Sequence, residues 1–212
     1  MEGNTDADEP TGVPQFWLNC MSNNEEISAM ISEDDVDCLA YLKDISCADD
    51  EDGKAFTLKF EFDANPFFDN DVLTKRYEIP NLLSAGGNSE PILKNVVGTE
   101  IQWKDGKSLT HKVSIKKQRG KGKHSGQVRT VQKTEKVDSF FGWFEPPQMP
   151  SMEEMDEEAA ANLEVQFDMD YEIAQTFRKT LIPLAVLWFT GEAGQPELEA
   201  AVDEMIAANE AS

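Results

Sequence analysis

Between Lys54 and Asp63 the string KAFTLKFEFD alternates apolar and polar side chains without a break. Phe56, Leu58, Phe60 and Phe62 fall on one side, Thr57, Lys59 and Glu61 on the other. That period of two is the mark of a strand with one buried face. The string VLTKRYEI, residues 72–79, puts Leu73, Tyr77 and Ile79 on a shared face, and ANPFFDND between the two strings has turn composition, so an antiparallel hairpin is predicted. After an irregular connector, LLSAGGNSEPILKNVVG, a second hairpin is predicted from TEIQW, the turn KDGK and SLTHKVSIKK, with Ile101 and Trp103 facing Leu109, Val113 and Ile115. The β-branched string QVRTVQKTEKV should return against that last strand, leaving Gln118 to Gly126 as a mobile tip.

Helical patterning brackets these strands. The string from Gly12 to Ile45 reads as short helices, with Pro14 suited to a first turn and Ser32 with Asp35 as a capping box ahead of Val36, Leu39 and Ala40. In the C-terminal third, Ser151 with Glu154 forms a second such box, and Met152, Met155, Ala159 and Leu163 recur at helical spacing. Ile173, Phe177 and Leu181 continue the stripe, and Pro183 opens a helix that should end at Gly191. Leu198, Val202, Met205 and Ile206 share one side of a last amphipathic segment. The fold class that follows is α+β: an antiparallel sheet with a protruding basic hairpin, underlain by helices. One domain is expected over residues 12–193, between a disordered leader at 1–11 and an acidic amphipathic tail at 194–212. Phe140, Phe141, Trp143 and Phe144 in DSFFGWFEPP suit an aromatic plug where the sheet ends.

Charge changes the picture more than composition does. The 212 residues carry a formal net charge of −22, yet eleven cations face only two acids between Lys104 and Lys136. The remainder holds 8 cations against 39 acids, a field that repels phosphate and attracts a polycation. Direct sequence-specific nucleic-acid binding is therefore not expected, and the basic segment itself contains no Phe, Tyr or Trp for base stacking. Lys116, Lys117, Arg119, Lys121, Lys123 and Arg129 make it a candidate nuclear-import or docking arm. Its plainer reading is a solvated hairpin with lysines guarding an edge.

Few residues suggest bond-making chemistry. His111 and His124 are the only histidines; His111 shares a strand face with Leu109 and Val113 and reads as packed, His124 as solvated. RGKGKHSG departs from a phosphate-binding loop, because His124 stands where Ser or Thr is needed and strands flank it. Cys20, Cys38 and Cys47 form neither a C-x-x-C pair nor an even set, so no disulfide framework or zinc site is implied and a reducing compartment fits. The longest apolar stretch, LIPLAVLWF, is too short to cross a bilayer. The expectation is a soluble intracellular chain that is not an enzyme, with no cofactor, no metal and no membrane partner.

Several strings together resemble the nucleosome assembly proteins, a family of histone chaperones. They are GVPQFWL (12–18), FDANPFFDNDVLTKRY (62–77), GTEIQWKDGKSLT (98–110), KKQRGKG with VRTVQKT, DSFFGWFEPP (138–147) and LIPLAVLWFTGEA (181–193). They occur in the family's order from Gly12 to Ala193. The resemblance implies helices whose acidic surface binds core histones, both the dimer-forming and the tetramer-forming pair, and deposits or removes them without ATP. It also implies shuttling between nucleus and cytoplasm, with importin as a candidate partner of the hairpin. Candidate histone contacts are Glu145, Glu153, Glu154, Asp156, Glu157, Glu158, Asp168, Asp170, Glu172 and Glu192. The family's homodimer rests on a long helix ahead of the GVPQFWL equivalent, whereas eleven residues precede Gly12, so the dimer stays open, and the family's long acidic tail is replaced by GQPELEAAVDEMIAANEAS. The alternative function is an adaptor or transport module acting mainly through residues 114–137.

Overall fold

The computed structural model describes residues 12–79, 95–119, 128–147 and 156–193; for 115–119 and 128–132 the backbone pairing alone is described. The leader, the 151–155 capping box with Met152 and Met155, the hairpin tip with His124, and the tail from 194 lie outside these residues.

The alternating strings form the centre of a four-stranded antiparallel sheet in the order β1 (Leu42–Asp49), β2 (Ala55–Phe62), β3 (Val72–Glu78), β4 (Asn95–Gly98). The predicted β2–β3 hairpin has Phe60 opposite Leu73 and Phe56 opposite Tyr77, whose rings stack with centroids 5.0 Å apart. Phe56, Leu58, Phe60, Phe62, Leu73 and Tyr77 are buried, while Thr57, Lys59 and Glu61 face outward. The turn between them is set by Asn65, whose Oδ1 accepts from the amides of Phe67 and Phe68 at 2.9 and 3.0 Å.

Two strands depart from the sequence expectation. β1 lies where short helices are predicted, because a register shift between Leu42 and Asp44 leaves the buried Leu42 and Ile45 three positions apart, a spacing that mimics a helix. β4 lies in the predicted connector; it is only four residues long, and of its two valines Val96 is buried and Val97 exposed.

The second predicted hairpin does not form as drawn. The turn at Gly106 is present (φ 68°), but residues 102–104 pair with the β2–β3 turn: Asp69 donates to the Gln102 carbonyl at 3.0 Å and Lys104 to that of Phe67 at 2.8 Å. The Trp103 ring packs edge-on against Phe68 and Phe141 at 5.7 and 5.6 Å, a burial that facing Leu109 and Val113 would forfeit. Val113 is accordingly exposed. β5 (His111–Arg119) instead pairs antiparallel with β6 (Val128–Lys136) as a separate two-stranded ladder, with His111 opposite Lys136.

Helical segments and the aromatic turn cover the inner face of the sheet. α1 (Phe16–Asn23), α2 (Glu25–Ser28) and α3 (Glu33–Leu39) precede it; α4 (Glu157–Gln175), a π-helical turn (Thr176–Leu181) and α5 (Ala185–Thr190) follow. α1 begins after Pro14 rather than at it, and Pro183 lies in the turn ahead of α5, which ends at Gly191 in the left-handed conformation (φ 77°). α1 and α5 are bound together by Asn23 Nδ2 donating to the Trp188 carbonyl at 2.8 Å and by Phe16 stacking on Phe189 at 5.0 Å.

The predicted plug is a 3₁₀ turn, Phe140–Phe144, with all four aromatic residues buried. Asp35 fixes its entrance. This buried carboxylate receives Ser32 N and Oγ at 2.8 Å, as the capping pattern foretells, and also Ser139 Oγ at 2.6 Å and Phe140 N at 2.8 Å. Gly98 lets β4 lie against the turn's other end: a Cβ there would sit 1.8 Å from the Phe144 carbonyl oxygen.

Candidate functional site

α4 presents two opposed faces, and the separation follows from its sequence. At ~100° per residue, Glu157, Glu164, Asp168 and Glu172 fall within one narrow stripe, while Leu163, Phe167, Asp170 and Ala174 fall roughly opposite. The first four are exposed and the second four are half-buried or buried. Asp156 caps the helix, its Oδ1 accepting from Ala159 N at 2.8 Å, and Glu157 and Glu158 occupy the first turn, where the macrodipole favours anions.

The opposite face is fastened to the sheet by one ionic group. Lys75 lies mid-way along β3 on the buried side, fully enclosed, and its ammonium donates to the Asp170 carboxylate and the Trp143 carbonyl while lying 4.3 Å from the Trp143 ring centroid. The Tyr77 hydroxyl donates to the same carboxylate. Burial holds Lys75 down at about 8, partly offset by Asp170, and burial raises Tyr77 far above the ordinary phenol range. Asp170 is therefore committed to the interior, although the sequence groups it with the surface acids around DYEI.

The other candidates are distributed. Asp156, Glu157, Glu158, Asp168 and Glu172 come together along α4, all exposed. Glu192 is exposed just past the α5 cap. Glu145 is exposed beside the aromatic turn and pairs with Lys136 at 2.8 Å. Glu153, Glu154, Lys121 and Lys123 lie outside the described residues, and Lys116, Lys117, Arg119 and Arg129 are described only as backbone in β5 and β6.

Sequence reasoning missed acids that extend the stripe. Glu164 completes the four-residue spacing between Glu157 and Asp168. At the far end, Thr176 Oγ1 donates to Glu26 Oε2 at 2.6 Å and to the Glu172 carbonyl at 3.2 Å, which brings the exposed Glu25–Glu26 pair of α2 alongside α4. The i, i+4 spacing was legible in the sequence; the approach of α2 was not. By contrast, the acids of the β1–β2 turn are partly neutralised: Arg178 pairs with Asp49 at 2.8 Å and Arg76 with Asp50 at 2.7 Å, a bond that holds the Asp50 carboxyl below its ordinary range.

Nucleophilic chemistry finds little support among the described residues. Burial raises the thiols of Cys20 and Cys47 to about 11 and that of Cys38 to about 12, so all three stay protonated at neutral pH. His111 is half-buried, its Nδ1 3.0 Å from Thr110 Oγ1.

What the arrangement can do is hold cations along a surface fixed by the sheet beneath it. Residues 1–192 match the family model described as nucleosome assembly protein. The chain belongs to the nucleosome assembly protein family. It is 48% identical over 190 residues to nucleosome assembly protein 1;2 of Oryza sativa subsp. indica, covering 89% of this chain and 50% of that protein. Nucleosome assembly protein 1;3 of Nicotiana tabacum is 45% identical over 187 residues, 88% of this chain and 47% of its own length. The chain thus spans about half the length of these relatives. Among solved structures, nucleosome assembly protein 1 from Plasmodium knowlesi matches with a TM-score of 0.61 and 34% identity, over 84% of this chain and 68% of that one. As a member of the nucleosome assembly protein family, the chain has the expected α+β fold.

Proposed function

We propose that this chain is a histone chaperone module that binds core histones through the acidic surface of α4 and assists nucleosome assembly and disassembly without ATP. The observation that carries the reading is the exposed stripe of Glu157, Glu164, Asp168 and Glu172, continued by Glu25 and Glu26, on a helix that itself contains no Lys or Arg. Family membership supplies the partner class. Carboxylates on a preformed surface compete with DNA phosphate for histone lysine and arginine, which suppresses aggregation and permits ordered hand-off. No bond is made or broken in this mechanism.

The basic β5–β6 ladder is an accessory arm on this reading, serving importin-dependent entry into the nucleus and shuttling to the cytoplasm. Replacing Glu157, Glu164, Asp168 and Glu172 together by their amides tests the main proposal. Histone-pair binding followed by fluorescence anisotropy should weaken by on the order of tenfold or more at low salt, and the salt dependence should flatten. Undiminished binding and undiminished assembly of histones on plasmid DNA would refute the proposal. Deleting residues 118–126 should abolish nuclear import in a permeabilised-cell assay while histone binding persists; loss of all partner binding would favour the arm as the main contact.

A further inference from the structure

α4 leans on the rest of the molecule mainly through its C-terminal half. Of its nineteen residues only Ala174 is fully buried, and among the described residues the first of its apolar side chains to pack against the core is Phe167. A helix draws most of its stability in a protein from burying an apolar face. The turns ahead of Phe167 expose Ala160, Ala161, Asn162 and Val165 along with their acids.

Two neighbouring rows on that exposed side differ in kind. Ala161, Val165 and Met169 follow one another at i, i+4 and i+8, which on a helix makes a continuous ridge, and Val165 and Met169 are 56% and 62% exposed. Ile173, next in the row, is half-buried and joins the ridge to the core. Glu164, Asp168 and Glu172 form the adjacent ridge, all exposed. Single apolar residues on a surface are ordinary, but a continuous apolar row edged by acids is the face of an amphipathic helix turned outward.

We propose that these two rows are a docking surface for one basic amphipathic α-helix of a partner, its apolar row packed on Val165 and Met169 and its lysines or arginines reaching Glu164, Asp168 and Glu172. This surface rests on the histone-binding reading above and narrows it: what α4 grips is a folded helix of the basic partner and not an extended tail. An extended cationic segment needs the carboxylates alone and would leave Val165 and Met169 in water. A helix crossing α4 sets its own i, i+4 ridge into the groove between the two rows and covers both. Methionine, unbranched and polarisable, suits a surface that must fit an incoming side chain. Charge selects among the occupants. Residues 194–212 have an apolar side but carry Glu197, Glu199, Asp203, Glu204 and Glu210 with no Lys or Arg, and a second copy of α4 is equally free of cations, so both bring like charge against the acid row. A basic helix satisfies both rows at once.

The test uses the full chain with a fluorescent lysine–leucine peptide patterned as an amphipathic helix, beside a scrambled peptide of the same composition whose leucines share no helical face. Anisotropy should show the patterned peptide binding about tenfold more tightly than the scrambled one. Val165→Gln with Met169→Gln should abolish that preference and leave the salt dependence of binding unchanged, since no charge is altered. Both positions are exposed and glutamine is a good helix former, so α4 should persist, as circular dichroism will check. Met169→Leu, which keeps the row apolar, should retain the preference. The proposal is overturned if the scrambled peptide binds as tightly as the patterned one, or if the double variant keeps the preference. It is also overturned if sedimentation of the chain alone shows a self-association that the double variant abolishes, because the ridge would then belong to a second copy. Histone-pair binding that falls with the four amide substitutions but ignores the two glutamines would remove this surface and leave the chaperone reading standing. Binding that ignores the amides while the peptide preference holds would do the reverse.

Discussion

Replacing Lys75 by methionine removes the ammonium but leaves Asp170 in place, a carboxylate whose side chain is 9% exposed against a lysine at 0%. Breaking a buried pair from one side costs about 3–5 kcal/mol, because the surviving charge loses its counter-ion and keeps only the Tyr77 hydroxyl as a partner. For a domain of this size each kcal/mol lowers Tm by roughly 2–4 °C, so a fall of about 6–20 °C is expected. The double variant Lys75→Met with Asp170→Leu should recover most of that loss, since the Tyr77 hydroxyl still reaches the Asp170 backbone carbonyl at 3.2 Å. The pH dependence has a fixed sign. Lys75 titrates at about 8 in the folded chain and at its ordinary value of 10.5 when unfolded. Between those values the unfolded state holds the extra proton, so this group's contribution to stability rises with pH through that window and is lost as pH falls through 8. The gap between wild type and the double variant should therefore move in favour of wild type above pH 8. Urea and thermal unfolding followed by circular dichroism measure each term. A Lys75→Met variant within about 1 kcal/mol of wild type, or a double variant no better than the single, would refute the argument.

Other expectations follow from particular contacts. Asp35→Ala leaves the Phe140 amide, the Ser32 amide and the Ser32 and Ser139 hydroxyls without their shared acceptor and should cost about 3 kcal/mol in urea unfolding. Gly98→Ala drives a methyl into the Phe144 carbonyl and should cost on the order of 3 kcal/mol, with a visible change in Trp143 fluorescence as the aromatic turn shifts. A thiol reagent at pH 8 should leave the fully buried Cys20 and Cys38 unmodified in the native chain and label all three cysteines once urea unfolds it.

The sheet was legible wherever its pattern was regular. β2 and β3 alternate cleanly and form the predicted antiparallel pair, and the aromatic turn announces itself by four large rings in five residues. β1 was hidden by its bulge, and β4 by its four-residue length. The pairing of residues 102–104 was misassigned because local turn chemistry at KDGK correctly predicts a turn but not what its flanks touch; the attraction of Trp103 to Phe68 and Phe141 is long-range. The acidic stripe on α4 could be read from spacing, yet separating Asp170 from Asp168 and Glu172 required noticing that Lys75 shares the buried face of β3 with Leu73 and Tyr77. A lysine at an inward-facing strand position implies an acid waiting on whatever packs above it.

The π-helical turn over Thr176–Leu181, where Ile182 N donates to the Phe177 carbonyl at 3.0 Å, is one residue wider than an α-helical turn. That extra residue sets the phase between the two helices it joins. Deleting Lys179 would let the segment relax into ordinary helix, and everything downstream would then rotate by ~100° about the axis. The Trp188 and Ala185 carbonyls that receive Asn23 and Cys20 would swing away, so α5 could no longer clasp the chain's N-terminal helix. The widened turn thus works as a gear offset: it allows α4 to carry its charges outward while α5, beyond the Pro183 turn, closes the molecule at the other end.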